Sequence, residues 1–170
     1  NSNYSHSPKD LLSHWSDWKP MLNAGTNKSI PSASGLYRVG FQNNDSLAYI
    51  GQTGRSLRER LGALSRGTYK DYMPYNDPHT AGPAFWAANQ KENSAFEVST
   101  CEISNIPTAL RKGLECLTIY EHRIRFGFSP LFNFGRMPVG FSKSSGNNQK
   151  LVKSGKRFRG QRTSEILDCH

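Results

Sequence analysis

An α+β fold is predicted for this 170-residue chain by three features of its sequence. Two short apolar strings, residues 35–37 and 48–51, are typical of strands and are separated by a polar run. A capped amphipathic helix is predicted directly after the second string, and a long amphipathic segment spans about residues 107–126. At this length one domain with terminal extensions is the default.

The two apolar strings are predicted to form a β-hairpin. The run between them, Gln-Asn-Asn-Asp-Ser at residues 42–46, has the composition of a hairpin loop. If Phe41 pairs with Leu47 across this loop, Tyr37 and Tyr49 become diagonal neighbours on one face of the hairpin. An aromatic pair of this kind is more often structural than functional, so the hairpin alone does not decide between the two.

The first helix is predicted to begin at Ser56. This serine and the glutamate three residues later have the spacing of a capping box. Leu57, Leu61 and Leu64 then form a narrow apolar stripe, and Arg60 lies about 60° from that stripe at 3.6 residues per turn. Arg60 is therefore predicted to point along the buried edge of the helix, back toward the hairpin.

The segment at residues 107–126 carries a carboxylate on its predicted apolar face. Glu121 lies in the middle of that face, whereas Glu115 points nearly opposite and is expected to be solvated. An ionised carboxylate on an apolar face is costly unless it is paired or bound to a metal. Glu121 is therefore predicted either to bind a metal or to pair with a cation such as Arg60. The predicted face consists of Leu110, Leu114, Leu117 and Ile124.

The order and spacing of these motifs resemble the GIY-YIG nuclease superfamily over about residues 34–136. Leu36 replaces the isoleucine of the first motif, and Glu121 and Asn133 have the separation usual in the family. The Pro-x-x-Asn string that ends at Asn133 resembles the end of the family pattern. The resemblance implies a small three-stranded antiparallel sheet flanked by helices, with residues 96–101 as the third strand.

The resemblance also implies a role for each matched residue. Tyr37 would activate the attacking water, as a general base or through its hydrogen bond, and Tyr49 would orient the water or the scissile phosphate. Arg60 would neutralise charge on the phosphate. Glu121 would hold one Mg²⁺, for which Mn²⁺ is expected to substitute, and Asn133 would brace the site. A phenol with an unperturbed pKa of about 10 is a poor base at neutral pH, so Tyr37 needs positive charge nearby.

The chain departs from the family at two positions. Many members have a lysine where this chain has Gln52, and a histidine or tyrosine where it has Leu64. His79 or Tyr69 could supply the missing group, although a lone histidine in a Pro/Gly loop is more often solvated. His122 is predicted to lie at the surface.

Positive charge is concentrated in a C-terminal arm. The chain has 22 basic and 13 acidic residues, a net charge of +9, and residues 143–162 contain no acid. Such a stretch is predicted to follow DNA phosphates, the alternative being a solubilising tail. Arg55 and Arg58, beside the first helix, are expected to bind DNA as well. The cations of the arm are Lys143, Lys150, Lys153, Lys156, Arg157, Arg159 and Arg162.

The predicted organisation is an N-terminal helical extension (1–33), a nuclease-like core (34–137) with an insertion (66–94), and the basic arm (138–170). The extension is expected to pack on the core or on a second subunit, so a homodimer is one of the possible assemblies. Three widely spaced cysteines favour a reduced, cytoplasmic protein. No apolar run approaches membrane-spanning length, and no signal peptide is visible.

The expected function is a Mg²⁺-dependent DNA endonuclease of the restriction type that cuts duplex DNA. The insertion, the N-terminal helix and the arm are the segments from which specificity could come. One alternative is a repair or structure-selective nuclease that acts on branched or single-stranded DNA. The second alternative is a non-catalytic DNA-binding module. The presence of the two tyrosines, Arg60 and Glu121 argues against it.

Overall fold

The computed structural model describes residues 7–74 and 81–141, which form a four-stranded antiparallel sheet and four α-helices. The strand order is β1-β4-β2-β3. The predicted α+β class is therefore confirmed. In chain order the elements are α1 (Pro8–Leu11), β1 (Lys19–Pro20), β2 (Gly35–Phe41), β3 (Leu47–Thr53), α2 (Leu57–Thr68), α3 (Gly82–Glu92), β4 (Phe96–Glu102) and α4 (Thr108–Phe126).

The hairpin of β2 and β3 has the predicted register over residues 35–39 and departs from it at the loop. The pairing shifts by one residue after Val39, so that Gly40 rather than Phe41 faces Leu47. The predicted Phe41–Leu47 pair is wrong because a bulge absorbs one residue of the hairpin. The bulge lies beyond both tyrosines, whose relative placement it leaves unchanged.

The sheet contains one strand more than the three that were expected. β1 is only two residues long and pairs with β4, where Lys19 faces Val98. A strand this short has no periodicity that a sequence pattern can reveal. The chain that follows β1 enters the core, where Met21 and Ile30 are almost completely buried. The N-terminal segment is thus part of the same packing unit as the hairpin.

Helix α2 has the predicted start and the predicted buried face. The Ser56 hydroxyl accepts a hydrogen bond of 3.2 Å from the Glu59 backbone N–H. Leu57, Leu61 and Leu64 are completely buried. Burial of each such side chain contributes about 1.5–3 kcal/mol relative to exposure, so this stripe fixes the rotation of α2 and the direction of its charged residues.

Two hydrophobic clusters cover the opposite faces of the sheet. The larger includes Tyr37, the α2 leucines and α3, with the Phe85 ring centre 5.0 Å from that of Phe132 in an edge-to-face arrangement. The smaller includes Leu36 and Leu114, and α1 packs against it, which is the first of the two positions expected for the N-terminal helix. Within the described residues no helix is long and apolar enough to cross a membrane.

Two tryptophans tie the N-terminal segment to the sheet. The Arg38 guanidinium carbon lies 4.6 Å from the ring centre of Trp15 and 4.9 Å from that of Trp18. Both distances are those of cation–π contacts. Because side chains alternate along a strand, Arg38 is on the opposite face of β2 from Tyr37.

The chain after α4 lies along β3. The Phe132 N–H donates to the Ala48 carbonyl at 2.8 Å, and the Leu131 N–H donates to the Leu47 carbonyl at 3.2 Å. The side chain of Asn133 then takes the place of a backbone partner. Its Oδ1 accepts from the Ile50 N–H and its Nδ2 donates to the Ile50 carbonyl, both at 3.0 Å.

His122 is buried, so its predicted surface position is wrong. Its Nε2 accepts a hydrogen bond of 3.0 Å from the Leu47 N–H, and Nδ1 donates to the Phe128 carbonyl at 2.7 Å. The ring is therefore neutral and joins α4 to the hairpin and to the following loop. Burial lowers the pKa of His122, and the charge of Arg125 lowers it further, against the opposing effect of the Phe128 carbonyl.

We expect His122→Ala to lower the free energy of unfolding by about 2–3 kcal/mol, since two part-buried hydrogen bonds and the packing of a buried ring are lost. The stability that neutral His122 provides is present above its unfolded-state pKa of about 6.5 and is lost as the pH falls through its lower folded-state pKa. The variant should therefore lose less stability than the wild type between pH 7 and pH 5, as measured by thermal unfolding. His14→Ala, at an exposed position, is the control. Equal acid sensitivity of variant and wild type would contradict this role.

Candidate functional site

Tyr37 and Tyr49 lie on one face of the hairpin, with ring centres 6.1 Å apart. Tyr37 is completely buried and Tyr49 is 8 % exposed. Gly51, which faces Tyr37 across the strands, makes this arrangement fit. A Cβ atom at Gly51 would lie 2.5 Å from the Tyr37 hydroxyl and 2.8 Å from Tyr49 Cε1. Both rings therefore depend on a residue without a side chain at that position.

The side chain of Arg60 hydrogen-bonds to that of Tyr37. The predicted direction of Arg60, toward the hairpin, is thus confirmed. Burial raises the pKa of Tyr37 well above its ordinary value, and Tyr49 raises it further, while the charge and hydrogen bond of Arg60 act in the opposite direction. The phenol is protonated at neutral pH. Of the two roles expected for Tyr37, the hydrogen-bonding role is the one that fits this environment.

The carboxylate that interacts electrostatically with both Tyr37 and Arg60 is Glu115. It is half-buried, and burial raises its pKa although the charges of Lys112 and Arg60 lower it. Glu115 was expected to be an ordinary solvated carboxylate, and that expectation is wrong.

Glu121 is exposed, so its predicted place inside the helix interface is also wrong. It lines a separate cavity of about 700 Å³ together with Arg38, whose side chain is on the other face of β2 from Tyr37. Glu121 is six positions after Glu115 on the helix, which places their carboxylates about 120° apart around the axis. Only Glu115 is therefore directed toward the tyrosines and Arg60.

The buried face of α4 is polar where it meets β3. This explains why the predicted burial of Glu115 and Glu121 is wrong. Arg111 and His122 are buried on this face, whereas Ile124 is 69 % exposed. Arg111, Glu115, Thr118 and His122 follow one another at spacings of four, three and four residues and define the face. The predicted apolar face overlaps this side at Leu114, which is buried, but it is centred elsewhere on the helix. The 4-3-4 recurrence of side chains able to form hydrogen bonds is the sequence pattern that indicates the buried side of α4.

Three arginines line a cavity of about 590 Å³ that begins at Arg60 and extends to the first turn of α4. Arg111, which belongs to none of the sequence motifs, is 7 % exposed. Its Nε donates to Gln52 Oε1 at 2.7 Å and its Nη2 to Thr108 Oγ1 at 3.3 Å. The lining includes Gln52, Arg55, Glu59, Arg60, Thr108 and Arg111.

Asn133 is buried behind the site rather than in it. Because it binds both main-chain groups of Ile50, it fixes the residue between Tyr49 and Gly51. This arrangement fits the bracing role that was expected of Asn133.

The remaining predicted residues are only partly brought to the site. Arg55 lines the cavity and is exposed. Arg58 donates instead to the carbonyls of Ile30 and Lys28, which gives it a structural role. Tyr69 is half-buried and hydrogen-bonds to the backbone of Phe96. His79 and the cations at residues 143–162 lie outside the described residues.

The chemistry of the site suits an anionic substrate and a hard cation. Within residues 7–74 and 81–141, no three His, Cys, Asp or Glu side chains form a group that could hold a metal. Mg²⁺ does not require such a cage, since it is commonly bound by one or two carboxylates together with water and substrate phosphate oxygens. Glu115 fits that mode of binding, and the arginines suit the phosphate oxygens.

Comparisons with known proteins add no identification to this geometry. No protein-family model matches the chain, and no curated protein is significantly similar to it. A function for this chain is therefore supported by the residues of the site alone.

Proposed function

We propose that this protein is a metal-dependent endonuclease that hydrolyses phosphodiester bonds in DNA through a GIY-YIG-like active site. The observation that carries the proposal is the electrostatic cluster of Tyr37, Arg60 and Glu115, contributed by three elements that are distant in sequence. A buried phenol, a guanidinium and a half-buried carboxylate supply a hydrogen-bonding hydroxyl, a phosphate ligand and a metal ligand respectively.

Arg60 is the group that would stabilise charge on the reacting phosphate. Its guanidinium can offer two parallel donors to phosphate oxygens, and its hydrogen bond to Tyr37 limits its orientation. Tyr37, protonated, would hold the attacking water or a phosphate oxygen by hydrogen bonding. Tyr49 packs beside it and would restrict the position of the same oxygen.

Glu115, rather than Glu121, would hold the Mg²⁺ ion. The bound cation would stabilise the negative charge that develops on the leaving oxygen. The raised pKa of Glu115 marks the cost of keeping a carboxylate in this partly buried position. Carboxylates whose pKa values are raised by burial cluster at functional sites.

DNA is the substrate that the charge of the chain favours. The net charge of +9 and the arginines around the 590 Å³ cavity supply the attraction for phosphates on which nucleic-acid binding depends. Within this class we propose a restriction-type enzyme acting on duplex DNA.

The test is incubation of supercoiled plasmid with the protein and Mg²⁺, with EDTA as the control, followed by mapping of the ends of the products. We expect Mg²⁺-dependent cleavage into discrete fragments. An Arg60→Gln variant purified in parallel should be inactive, which excludes a contaminating nuclease. A smear, or cleavage confined to branched DNA, would contradict the restriction type. DNA that is bound but stays intact would overturn the proposal of an enzyme.

A further inference from the structure

We infer that Arg111 binds a backbone phosphate next to the scissile one, which makes the arginine-lined cavity a second phosphate subsite. The inference rests on the proposed function, since it assumes that Arg60 holds the reacting phosphate. Both arginines line the same cavity of about 590 Å³. Phosphates bound to the two guanidinium groups would therefore be near neighbours on one strand.

The burial of Arg111 without a counter-charge points to an anionic ligand. The side chain is 7 % exposed, and among the described residues no carboxylate lies within 4.0 Å of its guanidinium. A buried cation is costly unless it is paired. The oxygens of Gln52 and Thr108 are neutral acceptors, which orient the guanidinium but do not compensate its charge.

The orientation of Arg111 leaves donors available for that ligand. Its hydrogen bonds to described residues use Nε and Nη2, so the donors of Nη1 remain. Gly54 provides the space, because a Cβ atom at that position would overlap Nη2. The guanidinium is thus held in place before any ligand binds, which reduces the entropy lost on binding.

The start of α4 adds to the attraction for an anion. Helix α4 begins at Thr108, and the residue before it, Pro107, gives no side-chain cap. Backbone N–H groups at the start of a 19-residue helix therefore lie beside the buried guanidinium. Arg55 lines the same cavity from the start of α2 and is exposed.

The inference is tested by the salt dependence of DNA binding in EDTA, where no cleavage occurs. We expect Arg111→Gln to weaken binding several-fold and to lower the slope of log K against log salt by about 0.9, the value for one phosphate contact on duplex DNA. Arg123→Gln removes an exposed cation from the far end of the same helix and should leave the slope unchanged.

A second variant keeps the test valid if Arg111→Gln unfolds. Gly54→Ala retains every charge but displaces the Arg111 guanidinium, and it should also weaken binding. Combined with Arg111→Gln it should add little, since both changes remove the same contact. A folded Arg111→Gln or Gly54→Ala protein with wild-type affinity and slope would overturn the inference.

The two proposals fail in different ways. A lower salt slope in Arg111→Gln, together with a wild-type protein that binds DNA but never cuts it, would refute the nuclease and would still support a phosphate contact at Arg111. Normal cleavage with an unchanged slope in Arg111→Gln would refute the subsite alone.

Discussion

Glu115→Gln should abolish DNA cleavage in Mg²⁺, with a loss in turnover of at least about 10²–10³-fold at saturating DNA. The substitution removes the carboxylate proposed to hold the cation and changes little else in shape. Binding in EDTA should be unchanged or stronger, because a negative charge has been removed from a phosphate-binding surface. Single-turnover cleavage and equilibrium binding measure the two effects separately.

Glu121→Gln is the matched control, because it is the same substitution on an exposed face of the same helix. It should cleave at close to the wild-type rate. The opposite result, an inactive Glu121 variant beside an active Glu115 variant, would restore the assignment that the sequence motif favours and would refute the site described above.

Glu115→Gln should also unfold at a slightly higher temperature than the wild type at pH 7. Burial raises the folded-state pKa of Glu115, so its contribution to stability is largest below its unfolded-state pKa and is lost as the pH rises through the folded-state value. Glutamine removes that cost at neutral pH, and the difference should shrink toward pH 4. An inactive but stabilised variant is the expected signature of a carboxylate kept for function.

Tyr37→Phe should lower turnover by about 10²–10³-fold while DNA binding in EDTA stays near the wild-type value. The ring continues to fill its buried position, and only the hydroxyl that bonds to Arg60 is lost. Tyr49→Phe should have a smaller effect if the Tyr37 hydroxyl is the one closer to the attacking water. Tyr120→Phe is the control, since its side chain is 58 % exposed on α4.

The pH profile separates the two roles considered for Tyr37. A hydrogen-bonding phenol with a raised pKa should give no Tyr37-dependent ionisation in the neutral range, so the wild type and the residual activity of Tyr37→Phe should share the same profile. Full activity in Tyr37→Phe would mean that the tyrosine pair is structural.

Local patterns in the sequence were sufficient to predict the β2–β3 hairpin and helix α2. The register over residues 35–39, the cap at Ser56 and the direction of Arg60 each depend on chemistry within a few residues, and each was predicted. The third predicted strand was found as β4 for the same reason, since its alternation is strong.

Local sequence patterns could not predict which side of α4 is buried. His122 is buried because it binds groups of Leu47 and Phe128, and Arg111 because it binds Gln52. These partners are supplied by tertiary structure, which periodicity does not contain. The apolar stripe therefore selected Glu121, which is exposed, and put the half-buried Glu115 on the solvent side. The two-residue strand β1 and the bulge after Val39 were missed because neither leaves a repeating pattern.

The two edge strands of the sheet, β1 and β3, have few free main-chain groups that could pair with another strand. β1 consists of a lysine and a proline, and proline cannot donate to a neighbouring strand. On β3, outward-facing main-chain groups of Leu47, Ala48 and Ile50 already bond to His122 and to the 131–133 segment. Both margins thus carry the features by which natural proteins avoid intermolecular β-augmentation and amyloid-like stacking. If this protein forms a homodimer, we therefore expect the sheet to end within each subunit rather than to continue across the interface.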